Sequence, residues 1–340
     1  MLNFEEFQLY VKNHIKDFLP ENFADAEVSI QEVNKNNGLV LHSINVKLPD
    51  RNICPSVYLE GFYERYEDGQ EIGQLMTSIA QTSANHQVGP DSALNIAENF
   101  RNFDYVKDKI IMSVVNAAKN EVMLHGVPHT MHEDLAVIYK VAIDQFEDGM
   151  GTVTIKNEHM EMWGVTLDEV HTLAEENSKR ILPPITRSMN EVIRDMFAKD
   201  GMLDDILEMM IEDMPLEKQM FVIGNTANIG GASALFYSNE LEKLADKLGT
   251  DLYVLPSSIH ETIAVSSEMG VPEELSMMVK EVNEGQVAPE EQLSDHVYRY
   301  DAKAKTLSLA DTTIEEVQHE EDENTVEPTE PVVHRNRHHR

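Results

Sequence analysis

Apolar side chains recur every three to four residues along several stretches, and this spacing predicts amphipathic helices. Near the N-terminus the repeat consists of Phe4, Phe7, Val11, Ile15 and Phe18. Thr166 with Glu169, and Ser188 with Glu191, have the spacing of capping boxes at two further helix starts. The helices expected from these patterns cover residues 1–18, 61–68, 71–87, 103–110, 167–174, 189–197, 203–214, 239–248 and 272–285.

Other stretches have the alternating or continuously apolar pattern that is typical of strands. The sequence NKNNG lies between two of them, and its Asn37-Gly38 pair is a strong hairpin signal. The expected strands cover residues 26–33, 38–48, 56–59, 111–115, 135–143, 150–155, 220–224, 252–255, 296–300 and 306–310. Because hairpins mix with helical connections, the predicted fold class is α+β.

The stretch 220–264 organises the predicted fold. Its first strand runs into the glycine-rich turn GNTANIGG, and a helix follows with Ser238 as its N-cap and Gly249 after its last residue. Pro256 stops the second strand. This order places two polar clusters at the ends of neighbouring strands, which is a common place for a site.

The expected organisation is one globular domain over residues 1–311. A lobe boundary is expected near residues 180–186, where Pro183 and Pro184 occur. From residue 312 onward, acidic residues, Pro, Thr and Val follow one another without periodicity. Residues 312–340 are therefore predicted to form a disordered acidic tail.

Charge is the most unusual bulk property, with 61 acidic residues against 27 basic ones and a formal net charge of −34. Such a field repels phosphate backbones, which argues against direct binding to nucleic acid. The favoured interpretation is an acidic surface that supports solubility. The alternative is a surface that mimics nucleic acid and inhibits a nucleic-acid-binding protein.

Other bulk features predict a cytoplasmic protein without a membrane segment. No stretch approaches the roughly 18 apolar residues of a membrane helix. The N-terminal MLNFEEF lacks the basic and apolar regions of a secretory signal. The single Cys54 excludes an internal disulfide framework, as expected in a reducing compartment.

Sequence blocks spread from about residue 55 to residue 300 carry a family resemblance. In order, they read SVYLEGFYERYEDG, VPHTMHEDLAVIYKV, NEHMEMWGV, AEENSKRILPP, GGASALFYSNELEKLADKLG, DLYVLPSSIHE and EEQLSDHVYRYD. They resemble a bacterial family catalogued as domain of unknown function 5688, and LPSSIHE is the most distinctive piece. The resemblance implies one globular unit with a dispensable tail, and it implies no activity, cofactor or site residue.

The first candidate site is Ser257, Ser258, His260 and Glu261. Hydroxyl, imidazole and carboxylate are the groups of a nucleophile, its base and an orienting acid. Their adjacency argues against a triad, and neither G-x-S-x-G nor H-E-x-x-H is present. The favoured interpretation is a turn at a strand end whose serines and Glu261 cap a following helix.

The second candidate is the loop GNTANIGG, with Asn225 and Asn228 as weak ligand-binding residues. Glycine-rich loops can hold phosphate with backbone N–H groups, but this loop has no Lys or Arg. A structural turn, in which the asparagines bond to their own backbone, is favoured.

A third cluster is rich in histidine and could in principle bind zinc. It consists of His125, His129, His132, Glu133 and Asp134. Gly126 and Pro128 interrupt any helix there. The favoured interpretation is turn chemistry, and neither a metal nor a cofactor is expected.

Three functional hypotheses follow. The first is a non-enzymatic binding or regulatory module with a protein partner, since no catalytic or cofactor motif is present. The 18 methionines, dense between Met189 and Met220, suit an adaptable partner surface, although core packing is the favoured role. The second is a hydrolase that uses Ser257 or Ser258 with His260 and Glu261. The third is the nucleic-acid mimic.

Overall fold

A computed structural model of the chain describes residues 1–49, 54–85, 98–146, 149–199 and 215–310. The fold has the predicted α+β class, with helices packed against three antiparallel sheets. The predicted helix at 203–214 and the predicted tail at 312–340 lie outside the described residues.

The N-terminal part is built on a three-stranded sheet of order β1-β2-β3. Its elements are α1 (Phe4–His14), β1 (Glu27–Asn34), β2 (Val40–Lys47), β3 (Ser56–Tyr58), α2 (Glu60–Glu67) and α3 (Ile72–Asn85). The predicted hairpin is confirmed, and its turn Asn36–Gly38 has Asn37 in the left-handed region, with φ of 60°. The stripe predicted for the first helix is buried at Phe7, Val11 and Ile15, while Phe18 is exposed.

The middle part is a four-stranded sheet in which β6 is the long central strand. Its elements are α4 (Phe103–Val106), β4 (Ile110–Asn116), α5 (Glu121–Leu124), β5 (His129–His132), β6 (Leu135–Phe146), β7 (Gly149–Thr154), α6 (Asn157–Trp163) and α7 (Leu167–Ile181). The Thr166 capping box is confirmed at the start of α7. Ser178 of α7 accepts a hydrogen bond from the N–H of Met112, which fixes the helix against β4.

The C-terminal part is a six-stranded sheet of order β13-β12-β10-β11-β9-β8. Its elements are β8 (Pro184–Ser188), α8 (Met189–Lys199), β9 (Phe221–Asn225), α9 (Ala234–Tyr237), α10 (Glu240–Leu248), β10 (Leu252–Leu255), β11 (Thr262–Ser266), α11 (Pro272–Gly285), β12 (Tyr298–Asp301) and β13 (Thr306–Leu309). Gly249 ends α10 in the left-handed conformation, as predicted, while Asn239 rather than Ser238 is its N-cap.

The prediction of a helix after Glu261 is wrong, because Thr262–Ser266 forms the central strand β11. Thr262, Ile263 and Val265 are β-branched and favour a strand. Strand β11 pairs antiparallel with β10 on one side and with β9 on the other. The two strands predicted as neighbours, β9 and β10, are therefore separated by a strand that the sequence did not reveal.

One hydrophobic cluster joins the four-stranded and six-stranded sheets. It contains Val114 of β4, Tyr139 of β6, Ile223 of β9 and Tyr298 of β12, so it includes residues on both sides of positions 180–186. Asp134 adds a polar link between the sheets, since it accepts hydrogen bonds from Ser294 and Tyr298. Burial and the charge of Asp134 raise the pKa of Tyr298.

Helix α11 is correctly predicted, with Pro272 in its first turn, and its apolar side chains are only partly buried. Val279 is buried, whereas Met278 and Val282 are exposed. Among the helices that the structure describes, none is both long enough and apolar enough to cross a membrane.

Candidate functional site

A cleft lies on one face of the six-stranded sheet, where β8, β9 and β11 run side by side. Val222 of β9 is paired with Arg187 of β8 and with Ile263 of β11. Directly paired residues point to the same face of a sheet, so these three side chains form one row. Gly224 stands one step further along the same face, opposite Ile185.

The cleft encloses about 430 Å³. Gly224 lines it without a side chain, and α8 adds Met189 and Val192 beside β8. Asn228, His260 and Glu261 complete the polar part of the lining. Volumes of roughly 300–1,000 Å³, apolar walls and a few polar groups are typical of small-molecule sites.

The glycine-rich loop is a structural turn held by Asn225. The Asn225 side chain is buried, accepts hydrogen bonds from the N–H groups of Ala227 and Ile229, and donates one to the carbonyl of Ile229. Its amide is therefore occupied by the loop itself, as the structural interpretation expects. Asn228 lines the cleft with a left-handed φ of 53°.

The loop packs directly on the second polar cluster. The N–H of Ala232 donates to the carbonyl of Ile259 at 3.2 Å, and the N–H of Gly230 lies 3.5 Å from Nδ1 of His260. Gly231 is required at this contact, because a Cβ there would overlap the carbonyl oxygen of His260 and lie 3.0 Å from the nitrogen of Asn225. The two clusters that the sequence placed at strand ends therefore meet in space.

The carboxylate next to the His260 ring belongs to Glu291. Nε2 of His260 lies 3.3 Å from Oε1 of Glu291, and the His260 side chain is 32% exposed. Sequence reasoning missed Glu291, which belongs to no catalytic motif. The one sequence feature that could have drawn attention to Glu291 is its place at the start of the block EEQLSDHVYRYD.

Residues 291–294 are fixed beside the polar cluster by main-chain hydrogen bonds. Ile259 N–H donates to the Glu291 carbonyl at 2.8 Å, and Leu293 N–H donates to the Ser257 carbonyl at 3.0 Å. Ser258 and Gln292 form an isolated β-bridge between these contacts. Glu291 thus belongs to a segment that is paired with the cluster itself.

The predicted serines do not contact the imidazole. Ser258 is buried, and its Oγ accepts a hydrogen bond from the backbone N–H of His260. Within the part of the chain that the structure describes, no hydrogen bond joins the hydroxyl of Ser257 or Ser258 to the ring of His260. Glu261 is exposed at the cleft and directly precedes β11.

Arg187 is the cationic side chain of the cleft. Its Nη2 donates to Asp195 Oδ2 at 2.5 Å and to the carbonyl of Glu191 at 3.2 Å. The predicted Ser188–Glu191 capping box forms and fixes the start of α8 next to it. Nε and Nη1 of Arg187 have no hydrogen-bond partner among the residues whose positions are described.

Tyr237 lies buried in the core near the glycine-rich loop. Its hydroxyl donates to the carbonyl of Leu182 at 2.7 Å. Burial raises the pKa of Tyr237 to about 12, partly offset by its hydrogen-bond interactions with Asn225 and Ser233. The loop is therefore supported from the core side by a phenol that stays protonated at neutral pH.

The hairpin turn of the N-terminal sheet contacts the segment that carries Glu291. The Nδ2 of Asn37 donates to the carbonyls of Pro289 and Gln292, at 2.8 Å and 2.7 Å. Asn36 donates to the carbonyl of Glu290 at 2.8 Å. These bonds connect the three-stranded sheet to the main-chain segment beside His260.

The histidine-rich cluster is spread over different elements. His125 follows α5, whereas His129 and His132 lie on β5, so the helical spacing considered from sequence is not realised. A groove of about 730 Å³ passes His125 and His129, but Nδ1 of His129 is bonded to the carbonyl of Val127. Asp134 is bonded to Ser294 and Tyr298. Among the described residues, no group of three or more His, Cys, Asp or Glu is suited to a metal ion.

Comparison with known proteins identifies a family. The Family of unknown function (DUF5688) matches residues 4–302, which is most of the chain, so the protein belongs to that family. No curated protein and no solved structure matches the chain.

Proposed function

We propose that this DUF5688 protein is a binding protein that takes a small apolar carboxylate into the cleft beside His260. The observation that carries the proposal is the row Arg187–Val222–Ile263, which puts a guanidinium next to apolar side chains. Gly224, which we call the cleft floor, lies beside this row and leaves space for a ligand because it has no side chain. The single Cys54 and the acidic composition support a cytoplasmic setting.

The polar end of the ligand follows from the donors that Arg187 still has available. Nη2 is engaged by Asp195 and Glu191, and Nε and Nη1 can donate to a further acceptor. A planar guanidinium suits the two oxygens of a carboxylate better than a single neutral acceptor. The apolar part of the ligand would pack against Val192, Val222 and Ile263.

The test compares 4-phenylbutyrate with its neutral amide by isothermal titration calorimetry on the full-length protein. We expect the carboxylate to bind more tightly, and Arg187→Gln to weaken it by about tenfold while changing the amide little. Arg299→Gln is the matched control, since Arg299 also bridges an aspartate, Asp251, on the same sheet. Equal binding of both compounds to all three proteins would refute the carboxylate assignment.

A second variant tests the cleft itself. Gly224→Val suits a strand and adds its bulk at the cleft floor. The new Cβ would meet only ordinary contacts, at 3.6 Å from the His260 carbonyl and 3.7 Å from the Glu261 Cβ. We expect it to abolish binding of both compounds with an unchanged melting temperature.

Native mass spectrometry of protein purified from cytosol should likewise show a small adduct that His260→Ala or Asn228→Ala removes.

Hydrolysis is the second candidate, and the imidazole–carboxylate pair of His260 and Glu291 supports it. Such a pair can orient a general base. Among the described residues, neither the Ser257 nor the Ser258 hydroxyl is hydrogen-bonded to the His260 ring. Cleavage of p-nitrophenyl butyrate that is lost in His260→Ala and in Glu291→Ala, and kept in Ser258→Ala, would favour this candidate over simple binding.

A further inference from the structure

Helix α11 is fixed to the body by a face that is mostly polar. Ser276 donates to the carbonyl of Asp295 at 3.1 Å, and Asn283 donates to the carbonyl of Ser294 and to Asp295 Oδ1, at 3.0 Å and 2.7 Å. Val279, which is 3% exposed, is the fully buried apolar member of this face. These residues are spaced at i, i+3 and i+7, as expected for one side of a helix.

The continuous apolar row of α11 lies to the side of that buried face. We call it the 271–282 stripe, and it consists of Val271, Leu275, Met278 and Val282, spaced at i, i+4, i+7 and i+11. Leu275 is half-buried against the cluster of Leu255 and Val265. Val271, Met278 and Val282 are 48%, 51% and 38% exposed. A row with this spacing is normally buried against another element, and here most of it faces solvent.

Acidic side chains border the 271–282 stripe on its solvent side. Glu274 follows Val271 by three residues, and Glu281 follows Met278 by three, so both lie next to the stripe. Lys280 is the only basic residue of α11, and its spacing from Met278 puts it on the opposite side of the helix. A second copy of the chain would bring these acids against each other, in a protein of net charge −34.

We propose that the 271–282 stripe binds a basic amphipathic helix from a partner protein. The apolar row of the partner packs on Val271, Met278 and Val282, and its flanking Lys or Arg residues meet Glu274 and Glu281. Flexible methionine side chains suit such helix-in-groove contacts because they adapt to the partner. None of the four stripe residues lines the cleft, so the proposal does not depend on the ligand.

The test uses a fluorescein-labelled peptide, LKKLLKLLKKLLKL, and its acidic counterpart LEELLELLEELLEL, with anisotropy measured on the full-length protein. We expect the lysine peptide to bind and the glutamate peptide not to bind. Met278→Gln combined with Val282→Gln should weaken binding by at least about tenfold, because two apolar contacts are lost. Met277→Gln is the matched control, since Met277 is 64% exposed outside the stripe, and it should change binding by less than about twofold.

Charge variants separate the proposed site from a general polyanion effect. Glu274→Gln with Glu281→Gln should weaken binding and reduce its salt dependence, whereas Glu273→Gln, across the helix, should not. Far-UV circular dichroism and the melting temperature confirm that each variant is folded. Equal affinity in the Met278/Val282 and Met277 variants would overturn the proposal. So would a dimer of the protein alone, seen by sedimentation, that the Met278/Val282 variant dissociates.

Discussion

His260 contacts Glu291 and not its sequence neighbour Glu261. Nε2 of the ring lies 3.3 Å from the Glu291 carboxylate, while Nδ1 faces the N–H of Gly230 at 3.5 Å. A backbone N–H can only donate, so Nδ1 is the accepting nitrogen, and in the neutral ring Nε2 carries the proton beside Glu291. The two contacts together favour one tautomer of the imidazole.

The first prediction concerns this tautomer. Neutral His260 should be the Nε2–H form, and Glu291→Ala should allow the Nδ1–H form to appear, because the carboxylate beside Nε2 is gone. Long-range ¹H–¹⁵N correlation spectra of the histidine rings distinguish the two forms. Glu261→Ala is the control and should leave the spectrum of His260 unchanged. A dominant Nδ1–H form in the unaltered protein would contradict the pairing.

The second prediction concerns the contact of the two loops. Gly231→Ala places a Cβ against the carbonyl of His260 and the backbone of Asn225. It should lower the free energy of unfolding by about 3 kcal/mol, the upper end of the cost of overpacking. Urea denaturation measures this loss.

Gly249→Ala provides the control for Gly231→Ala. Gly249 has a φ of 70° with open space around its Cβ position, so only backbone strain opposes the substitution. We expect a loss of about 1 kcal/mol there. Similar losses in the two variants would mean that the loops can separate without penalty.

The third prediction concerns the free energy of unfolding at alkaline pH. Burial raises the pKa of Tyr237 from 10 to about 12, so the folded state favours the protonated phenol. The protonated phenol therefore contributes fully to the stability of the folded state below pH 10, and this contribution is lost as the pH rises toward 12. Tyr237→Phe should cost about 1 kcal/mol at pH 7 through the lost hydrogen bond to Leu182.

The difference between wild type and Tyr237→Phe should shrink by about 1 kcal/mol between pH 9 and pH 11. Urea midpoints at both pH values measure this change. Tyr139 and Tyr298 also have raised pKa values, but they are present in both proteins and cancel in the comparison. A difference that stays constant with pH would contradict the assigned shift.

The fourth prediction concerns the contact between the N-terminal hairpin and the Glu291 segment. Asn37→Gly keeps the left-handed backbone conformation and removes the hydrogen bonds to Pro289 and Gln292. Amide exchange at Ile259, which bonds to this segment, and at Leu293, which belongs to it, should become about tenfold faster, as expected for a loss of about 1.4 kcal/mol in local stability.

Asn34→Ala, at the end of β1, is the control for Asn37→Gly. Amide exchange at Ile259 and Leu293 in this variant should be as slow as in the unaltered protein. Unchanged exchange in Asn37→Gly would show that residues 289–293 hold their position without the hairpin.

The sequence predicted most local structure, because its signals act within a few residues. Capping at Thr166, the left-handed Gly249 and the Asn37-Gly38 turn all follow from short-range chemistry. These features need no knowledge of distant contacts. The sequence also placed the two polar clusters at strand ends, but it left open whether they meet in space.

Strand β11 and Glu291 could not be predicted in the same way. A five-residue apolar run fits a strand or a helix, and only pairing with β9 and β10 decides between them. Glu291 reaches His260 through the pairing of residues 291–293 with residues 257–259, which are distant in sequence. The exposure of Met278 and Val282 on α11 could not be predicted either, because periodicity locates an apolar face without revealing what covers it.

The position of β11 between β9 and β10 also has a kinetic consequence. Strands β10 and β11 are joined by a short connection and can pair early as a local hairpin. Strand β9 comes before α9 and α10 in the chain, so its pairing with β11 must close a much longer loop. We therefore expect the cleft floor at Gly224 to assemble late during folding, and a ligand bound there to slow the reverse step, the detachment of β9.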